Sequence, residues 1–187
     1  MAKTALLIMD LQQGILGQLP DVEAHLPHYA STIAAARSAS IQVIYVTINF
    51  RPNHPDISPR NKMTAHIGAY GGFIQGDDSV QVHPAIAPAD TDILVTKRRV
   101  SAFSGSDLEL VLRSQGVENL VLTGIVTSGV VLSTLRQASD LDYRVTVLQD
   151  LCFDSDPEVH RVLIEKVFPR QADVTTANEW VAGLKKI

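Results

Sequence analysis

The chain contains a single cysteine, Cys152, among its 187 residues, so no disulfide bond can form within it. One cysteine is typical of proteins from reducing compartments, where disulfides do not persist. No apolar run approaches the roughly 20 residues that a helix needs to cross a bilayer. The N-terminal apolar run stops at Asp10, too early for a signal peptide, and is interpreted as a strand. The sequence therefore predicts a cytoplasmic protein.

Positive charge is not in excess either. The chain has 16 lysine and arginine residues against 20 aspartate and glutamate residues, a net charge of -4. This argues against nucleic acid or an anionic membrane as a partner, because a basic surface supplies most of the affinity in both cases. Internal repeats, low-complexity tracts and linkers are absent from the sequence. With 45% apolar and 19% charged residues, we expect one globular domain over residues 1–187.

Short apolar runs alternate with helical patterns along the chain. Most of the runs are apolar on both faces, as in a parallel sheet that helices cover. The predicted strands are Thr4–Met9, Gln42–Thr47, Ile93–Thr96, Asn119–Thr123, Arg144–Leu148 and Asp173–Thr176. The predicted helices are Pro27–Ala39, Ser106–Gln115 with a Ser-Asp-Leu-Glu capping box, Ser128–Asp140, Pro157–Phe168 and Ala177–Lys186. The alternation predicts a parallel sheet with right-handed crossovers.

The segment from Ile48 to Asp92 interrupts this alternation. It holds five of the nine prolines and is predicted to be a long irregular excursion. Loops of this length inside a compact domain are usually functional. The segment is therefore predicted to form a lid or a wall of a binding site.

Polar residues follow several of the predicted strands. Asp10, Asn49 and Lys97 each lie at such an end, and so does the turn from Gly124 to Val130. Taken singly, Asp10 could cap the next turn and Lys97 could belong to a solvated basic run. Ligands of open parallel sheets bind outside the carboxyl ends of the strands. We therefore expect the four features to converge on one crevice.

Three ordered motifs carry a resemblance to a known family. They are the strand ending at Asp10, the strand ending at Lys97 with Ser-Ala-Phe behind it, and the turn GIVTSGVV over 124–131. With DLCFDSDPEVH further on, the chain resembles the isochorismatase-like hydrolases, or cysteine hydrolases, nearly end to end. The resemblance implies a three-layer α/β/α sandwich with a six-stranded parallel sheet. It also implies a small-molecule substrate and a homo-oligomer, a dimer or a tetramer, and we predict no cofactor.

In the amidase branch of that family, an Asp–Lys–Cys triad attacks a carbonyl carbon. Asp10 and Lys97 match the first two members, but Val130 stands at the nucleophile position and has no group that can attack. The hydroxyls of Thr127 and Ser128 lie two or three residues away. They are predicted to contact substrate and not to replace the thiol.

The resemblance further implies a cis peptide bond between Ile125 and Val126. In the family this bond aims backbone N–H groups, here of Val126 and Val130, at the substrate oxygen. Such an oxyanion hole uses no side chain, so it would survive the valine at position 130.

A second branch, the isochorismatases, cleaves a vinyl ether without a cysteine. An acid in the position of Asp10 protonates the enolpyruvyl group, water adds, and a lysine in the position of Lys97 stabilises charge. Asn49 is predicted to hydrogen-bond the substrate, and Arg51 and Arg60 to clamp its carboxylate. The alternative for the two arginines is a solvated loop.

A third branch, the nicotinamidases, binds a metal ion after the second strand. Asn49 and Arg51 stand where that branch needs an acid and an imidazole, which leaves His54 isolated. His66 and His83 are too scattered to complete a site. We therefore predict no metal.

Three hypotheses about function follow. The first is a hydrolase of a small anionic metabolite, with Asp10 as acid or base, Lys97 as its electrostatic partner and the 126–130 backbone binding an anion. The alternative is an inactive member with a binding or scaffolding role, which Val130 favours. Isochorismatases usually have glycine there, so a branched side chain narrows the pocket. The third is an amidase that uses Cys152, although single cysteines are more often inert and buried.

Overall fold

The computed structural model describes residues 2–184, except for the side chains of Pro20 and Tyr70. Six parallel strands form one sheet in the order β3-β2-β1-β4-β5-β6. The strands are β1 (Lys3–Met9), β2 (Gln42–Ile48), β3 (Ile93–Lys97), β4 (Val117–Ile125), β5 (Arg144–Phe153) and β6 (Asp173–Thr175). The predicted six-stranded parallel sheet is confirmed.

Helices connect the strands. They are α1 (Gln13–Leu16), α2 (Leu26–Ser38), α3 (Lys62–Tyr70), α4 (Leu108–Gln115), α5 (Leu132–Asp140), α6 (Pro157–Val162) and α7 (Ala177–Leu184). A π-helical turn, Thr127–Val131, leads directly into α5, and another, Leu163–Val167, follows α6. Within residues 2–184, no helix has both the length and the hydropathy that crossing a membrane would require.

Both faces of the sheet are covered, because alternate residues of each strand point to opposite sides. Ala5, Leu7 and Met9 of β1 pack in one core cluster, to which Leu112 of α4 and Leu135 of α5 also belong. Leu6 and Ile8 of β1 pack in a second cluster, to which Ile33 of α2 and Ala177 of α7 contribute. The predicted three-layer α/β/α sandwich is confirmed. The core therefore lies on both sides of the central strands β1 and β4.

The chain changes direction across the sheet between β1 and β4. From β1 it proceeds outward through β2 to β3, then returns to place β4 on the other side of β1. Parallel α/β sheets bind ligands at such a switch point, outside the carboxyl ends of the strands. Asp10 follows β1, and the Thr127–Val131 turn follows β4. The topology therefore places both features at one crevice.

Several helix boundaries differ from the sequence predictions. Helix α4 begins at Leu108 and not at Ser106, and the capping box is wrong: the Ser106 hydroxyl accepts the Leu108 N–H at 3.3 Å, while Glu109 pairs with Arg113. The predicted helices 128–140 and 157–168 each include a π-helical stretch. The last predicted helix is described as far as Leu184, and its end at Lys186 lies outside the described residues.

Strand β5 is longer than predicted. It continues past Leu148 to Phe153 after a register shift against β4, and this extension brings Cys152 beside Gly124. The polar residues Gln149 and Asp150 interrupt the apolar pattern, which is why the sequence predicts an earlier end.

The segment 48–92 is more regular than predicted. It contains α3, whose first turn is capped by the Asn61 side chain accepting the Thr64 N–H at 3.3 Å. Two short 3-10 turns, Asp78–Val80 and Pro84–Ile86, follow. The density of proline and glycine around α3 conceals a helix of only nine residues in the sequence.

Candidate active site

Asp10 and Lys97 form an ion pair at the carboxyl end of the sheet. The Asp10 Oδ2 and Lys97 Nζ atoms are 2.9 Å apart, and the two side chains are 7% and 1% exposed. Strand β2 lies between β1 and β3, so the two backbones are separated by about twice the 4.8 Å strand spacing. Only a side chain as long as that of lysine can bridge this distance. The sheet thus brings together two residues that are 87 positions apart in the sequence.

The Asp10 carboxyl has one oxygen that the protein leaves unpaired. Asp10 has φ of +63°, a left-handed conformation that aspartate tolerates, and its N–H donates to the Val46 carbonyl at 2.9 Å. Its Oδ1 atom is buried and has no hydrogen-bond partner within residues 2–184. An unpaired buried oxygen is costly unless a ligand or water completes it. Oδ1 is therefore the atom available to a bound molecule.

Burial also changes the proton affinity of Asp10. Loss of solvation raises the pKa of the Asp10 carboxyl, and the opposing effect of the Lys97 ammonium is smaller. The Lys97 ammonium in turn donates to the Arg99 carbonyl at 3.1 Å. The pair can thus hold a proton on a carboxyl group while keeping a cation beside it to stabilise the carboxylate.

Gln12 supports this end of the sheet, and sequence reasoning missed it. Its fully buried side chain donates to the Ile48 and Val80 carbonyls, both at 2.9 Å, and accepts the Ile48 N–H at 2.8 Å. These bonds join the end of β2 to the later part of the 48–92 segment. The signal in the sequence was an uncharged polar residue two positions after Asp10, at the end of an apolar run.

The turn after β4 approaches β1 closely. Gly124 has φ of +148°, and a Cβ atom there would lie 2.6 Å from the Met9 carbonyl oxygen, so only glycine fits. The following Ile125–Val126 peptide bond is cis, at the position that the family resemblance implies. The Val126 carbonyl then accepts the N–H groups of Gly129 at 3.1 Å and Val131 at 3.4 Å.

Residues after β5 hold this turn from its other side. The Ser128 N–H donates to the Asp154 carboxylate at 2.7 Å, and the Thr127 hydroxyl is 2.8 Å from His160 Nδ1. Partial burial lowers the pKa of the His160 imidazole, although Asp154 opposes the shift. Thr127 and Ser128 are therefore engaged with α6 and the residues before it.

A cavity of about 370 Å³ lies over the ion pair. Four of the predicted site residues line it: Asp10, Lys97, Val126 and Val130. Val130 is 2% exposed and presents only methyl groups. The sequence thus identified the residues that the cavity brings together at the ends of β1, β3 and β4.

The predicted substrate-binding side chains lie elsewhere. Among the described residues that line the cavity, Asn49, Arg51, Arg60, Thr127 and Ser128 do not occur. The Arg51 guanidinium pairs with Asp56 at 3.1 Å. Asn49 is buried and its amide is 3.4 Å from the Thr96 hydroxyl, and Arg60 is exposed. The position of a residue just after a strand therefore does not predict whether its side chain lines the cavity.

The 48–92 segment supplies one wall of the cavity, as the sequence predicts. Ile48, Met63, His66, Ile67 and Phe73 all line it. The sequence did not assign any of these five side chains to the substrate site; His66 was considered only as a metal ligand. Four of them belong to or follow α3, so the missed helix accounts for most of the omission.

Cys152 lies apart from the ion pair. It is 1% exposed on β5 and lines a second cavity together with His28, Asp150 and His160. Burial raises the pKa of the Cys152 thiol, so it stays protonated at neutral pH. A protonated, enclosed thiol in another cavity is not placed to attack a substrate beside Asp10.

The histidines considered for a metal site are separated from one another. The His54 ring nitrogen Nε2 is 3.1 Å from the Gly72 carbonyl, and His83 Nδ1 accepts the Ala85 N–H at 3.2 Å. His66 lines the cavity. In the described part of the chain, no three histidine, cysteine or acidic side chains are grouped so that they could hold a metal ion.

Comparison with known proteins gives consistent matches over nearly the whole chain. The Isochorismatase domain family matches residues 4–179. The uncharacterized isochorismatase family protein YwoC of Bacillus subtilis (strain 168) is 32% identical over 183 residues, 98% of this chain and 95% of that protein. Ureidoacrylate amidohydrolase RutB of Pantoea ananatis is 33% identical over 178 residues, 83% of this chain and 71% of that protein. An isochorismatase family protein from Burkholderia thailandensis has a similar structure, with TM-score 0.81, 28% identity, and coverage of 98% and 96% of the two chains.

Proposed function

Because the chain belongs to the isochorismatase family, we propose that it is a hydrolase of a small molecule that works through Asp10 and Lys97 without a cysteine. The observation that carries this proposal is the unpaired Asp10 Oδ1 atom in a carboxyl group whose other oxygen is held by Lys97. A group of this kind can deliver or accept a proton inside the cavity.

Vinyl-ether cleavage is the reaction that these residues support best. Asp10 Oδ1 donates a proton to the terminal carbon of the vinyl ether, and water adds to the oxocarbenium carbon that results. The adduct then releases the alcohol and leaves a carbonyl product. As the proton leaves, the new Asp10 carboxylate is stabilised by the Lys97 ammonium at 2.9 Å. No step requires a side chain at position 130 to attack.

The backbone of the turn supplies the other half of the proposed site. Val126 and Val130 line the cavity, so their N–H groups are the proposed donors to a substrate oxygen. Thr127 and Ser128 contribute through the bonds that fix this turn to His160 and Asp154. We assign no substrate contact to Asn49, Arg51 or Arg60.

Amide hydrolysis is the second candidate reaction, because RutB is named for it. With valine at position 130, water would have to attack the amide carbon while Asp10 acts as the base. An inactive, ligand-binding protein is the remaining alternative, and the buried methyl groups of Val130 beside the ion pair favour it.

The test compares Asp10→Asn with Cys152→Ala on a panel of vinyl ethers and small amides. Asn keeps the shape of the side chain but cannot donate the proton, so we expect kcat/KM to fall by about 10² to 10⁴. Cys152→Ala should retain wild-type kcat/KM, since its thiol lines a different cavity. Turnover that survives Asp10→Asn would refute the assignment, and binding without turnover by the wild type would favour the ligand-binding alternative.

A further inference from the structure

The wall of the cavity over the ion pair is mainly hydrocarbon. The apolar side chains that line it include Ile48, Ile67, Phe73, Val100, Ile125 and Val130. Among the described side chains, the polar ones that line it besides Asp10 and Lys97 are Gln18 and His66, and both are exposed to solvent. At about 370 Å³ the cavity is at the small end of the range for ligand sites. It therefore fits a compact molecule whose buried part is apolar.

The buried cation of the cavity is already compensated. Lys97 Nζ holds Asp10 Oδ2 at 2.9 Å and the Arg99 carbonyl at 3.1 Å. A substrate carboxylate would have to displace Asp10 from Lys97 or be buried without a cation of its own among the described side chains. Burying a carboxylate without such a cation is unfavourable as a general rule, because the charge loses its hydration.

The nearby arginines do not offer a replacement. Arg51 and Arg98 both pair with the Asp56 carboxylate at 3.1 Å, and Arg99 donates to the Asp56 carbonyl at 3.0 Å. None of these three guanidinium groups lines the cavity. Of the two arginines that the sequence predicts as a carboxylate clamp, Arg51 is thus directed to Asp56, and Arg60 is exposed and does not line the cavity.

Among the described side chains that line the cavity, one buried polar atom remains unpaired, Asp10 Oδ1. Together with the proposed N–H donors of Val126 and Val130, this oxygen can satisfy one polar group of a ligand. A mainly apolar wall, a compensated lysine and these few polar atoms are complementary to a molecule with one polar group and a hydrocarbon body.

We infer that the substrate is uncharged, with a compact branched or cyclic hydrocarbon body and one hydrolysable polar group. This inference rests on the proposed function of the same site, and it replaces the anionic metabolite that the sequence suggested. Val130 supports this inference, because its buried methyl groups occupy space beside the ion pair and extend the apolar wall of the cavity.

The test measures binding of matched pairs of ligands to the full chain by isothermal titration calorimetry. Cyclohexyl vinyl ether is compared with 4-(vinyloxy)cyclohexanecarboxylate, and cyclohexanecarboxamide with 4-carbamoylcyclohexanecarboxylate. We expect each neutral member to bind at least about tenfold more tightly than its carboxylate. Tighter binding of the carboxylates would overturn the inference, and so would failure of both neutral compounds to bind at up to about 10 mM.

Two variants test whether the cavity itself sets this preference. Val100→Arg places a guanidinium in the partly exposed wall and should reduce or reverse the preference for the neutral ligands. Leu110→Arg adds the same charge on α4 at a side chain that is 69% exposed and does not line the cavity, so the preference should not change. Equal effects of the two variants would contradict the assignment.

These experiments test the inferred ligand class and the proposed chemistry separately. A neutral preference combined with turnover that survives Asp10→Asn would refute the proposed chemistry while the ligand class stands. Asp10-dependent turnover confined to the carboxylate members would refute the inferred ligand class while the chemistry stands.

Discussion

Asp10 and Lys97 are the two residues on which the proposed chemistry depends, and each makes the burial of the other tolerable. Their side chains are 7% and 1% exposed and 2.9 Å apart. The sequence placed both at strand ends and therefore predicted their meeting. The sequence did not identify the unpaired Oδ1 atom, because the hydrogen bonds of a carboxyl group depend on which residues lie beside it in the folded chain.

Removing Lys97 should destabilise the protein in a pH-dependent way. Lys97→Met leaves the Asp10 carboxylate buried without its cation, which typically costs about 3–5 kcal/mol of unfolding free energy. Below the Asp10 pKa, which burial raises, the carboxyl is neutral in the folded state and the cost should shrink.

Urea denaturation at pH 8 and pH 5 measures this effect. The control is Lys62→Met, an exposed residue of α3, which should change the unfolding free energy by less than about 0.5 kcal/mol. A Lys97→Met effect as small as that of the control would show that the ion pair contributes no stability.

Val130 is the residue at which a thiol should become reactive. Val130→Cys would place a thiol in the cavity that contains Lys97, whose positive charge favours the thiolate. We expect iodoacetamide to label this variant rapidly while the wild-type Cys152, 1% exposed, stays unlabelled.

Val131→Cys is the matched control for this labelling. Val131 is fully buried in the core cluster and does not line the cavity, so a thiol there should resist the reagent. Labelling of Val131→Cys as fast as Val130→Cys would mean that the cavity does not determine the reactivity.

At the scale of elements, the strands were easier to predict than the helices. Each strand that crosses the core is apolar on both faces, so its run of residues is visible in the sequence. Helix α3 was hidden by the proline and glycine residues around it, and with it Met63, His66 and Ile67 of the cavity wall. The π-helical turn Thr127–Val131 depends on contacts with Asp154 and His160, which lie about 30 residues away.

The contact between His160 and that turn should make stability depend on pH. The pKa of His160 is lowered in the folded protein, chiefly by burial, whereas its unfolded value is about 6.5. As the pH falls below about 6.5, His160 takes up a proton in the unfolded state before it does so in the folded state. The free energy of unfolding should therefore decrease until the pH reaches the pKa of His160 in the folded protein.

His160→Asn removes the titrating group while keeping a polar side chain near Thr127. The unfolding free energy of this variant should therefore depend less on pH than that of the wild type. Urea denaturation at several pH values between about 7.5 and 5 measures this difference. His25→Asn is a suitable control, since the His25 ring packs against Phe153, whereas the Thr127 hydroxyl contacts His160. Equal slopes for the wild type and His160→Asn would contradict the predicted role of His160.

At the scale of the whole molecule, the switch point between β1 and β4 determines where the site lies. The alternation of strands and helices predicted a parallel sheet, and the carboxyl ends of its strands then predicted the crevice. Which side chains enter that crevice depends on the path of the 48–92 segment, and the sequence did not reveal it. The homo-oligomer, a dimer or a tetramer, stays a prediction.

The most direct test of the cysteine-independent mechanism is the pH dependence of kcat/KM for the best vinyl ether of the panel. If Asp10 is the acid, kcat/KM is highest where Asp10 is protonated and falls as the pH rises through its pKa, which burial holds above the ordinary value of about 4. Asp10→Asn should abolish this dependence along with most of the rate. A kcat/KM that rises with pH, or a falling limb that persists in Asp10→Asn, would contradict the account.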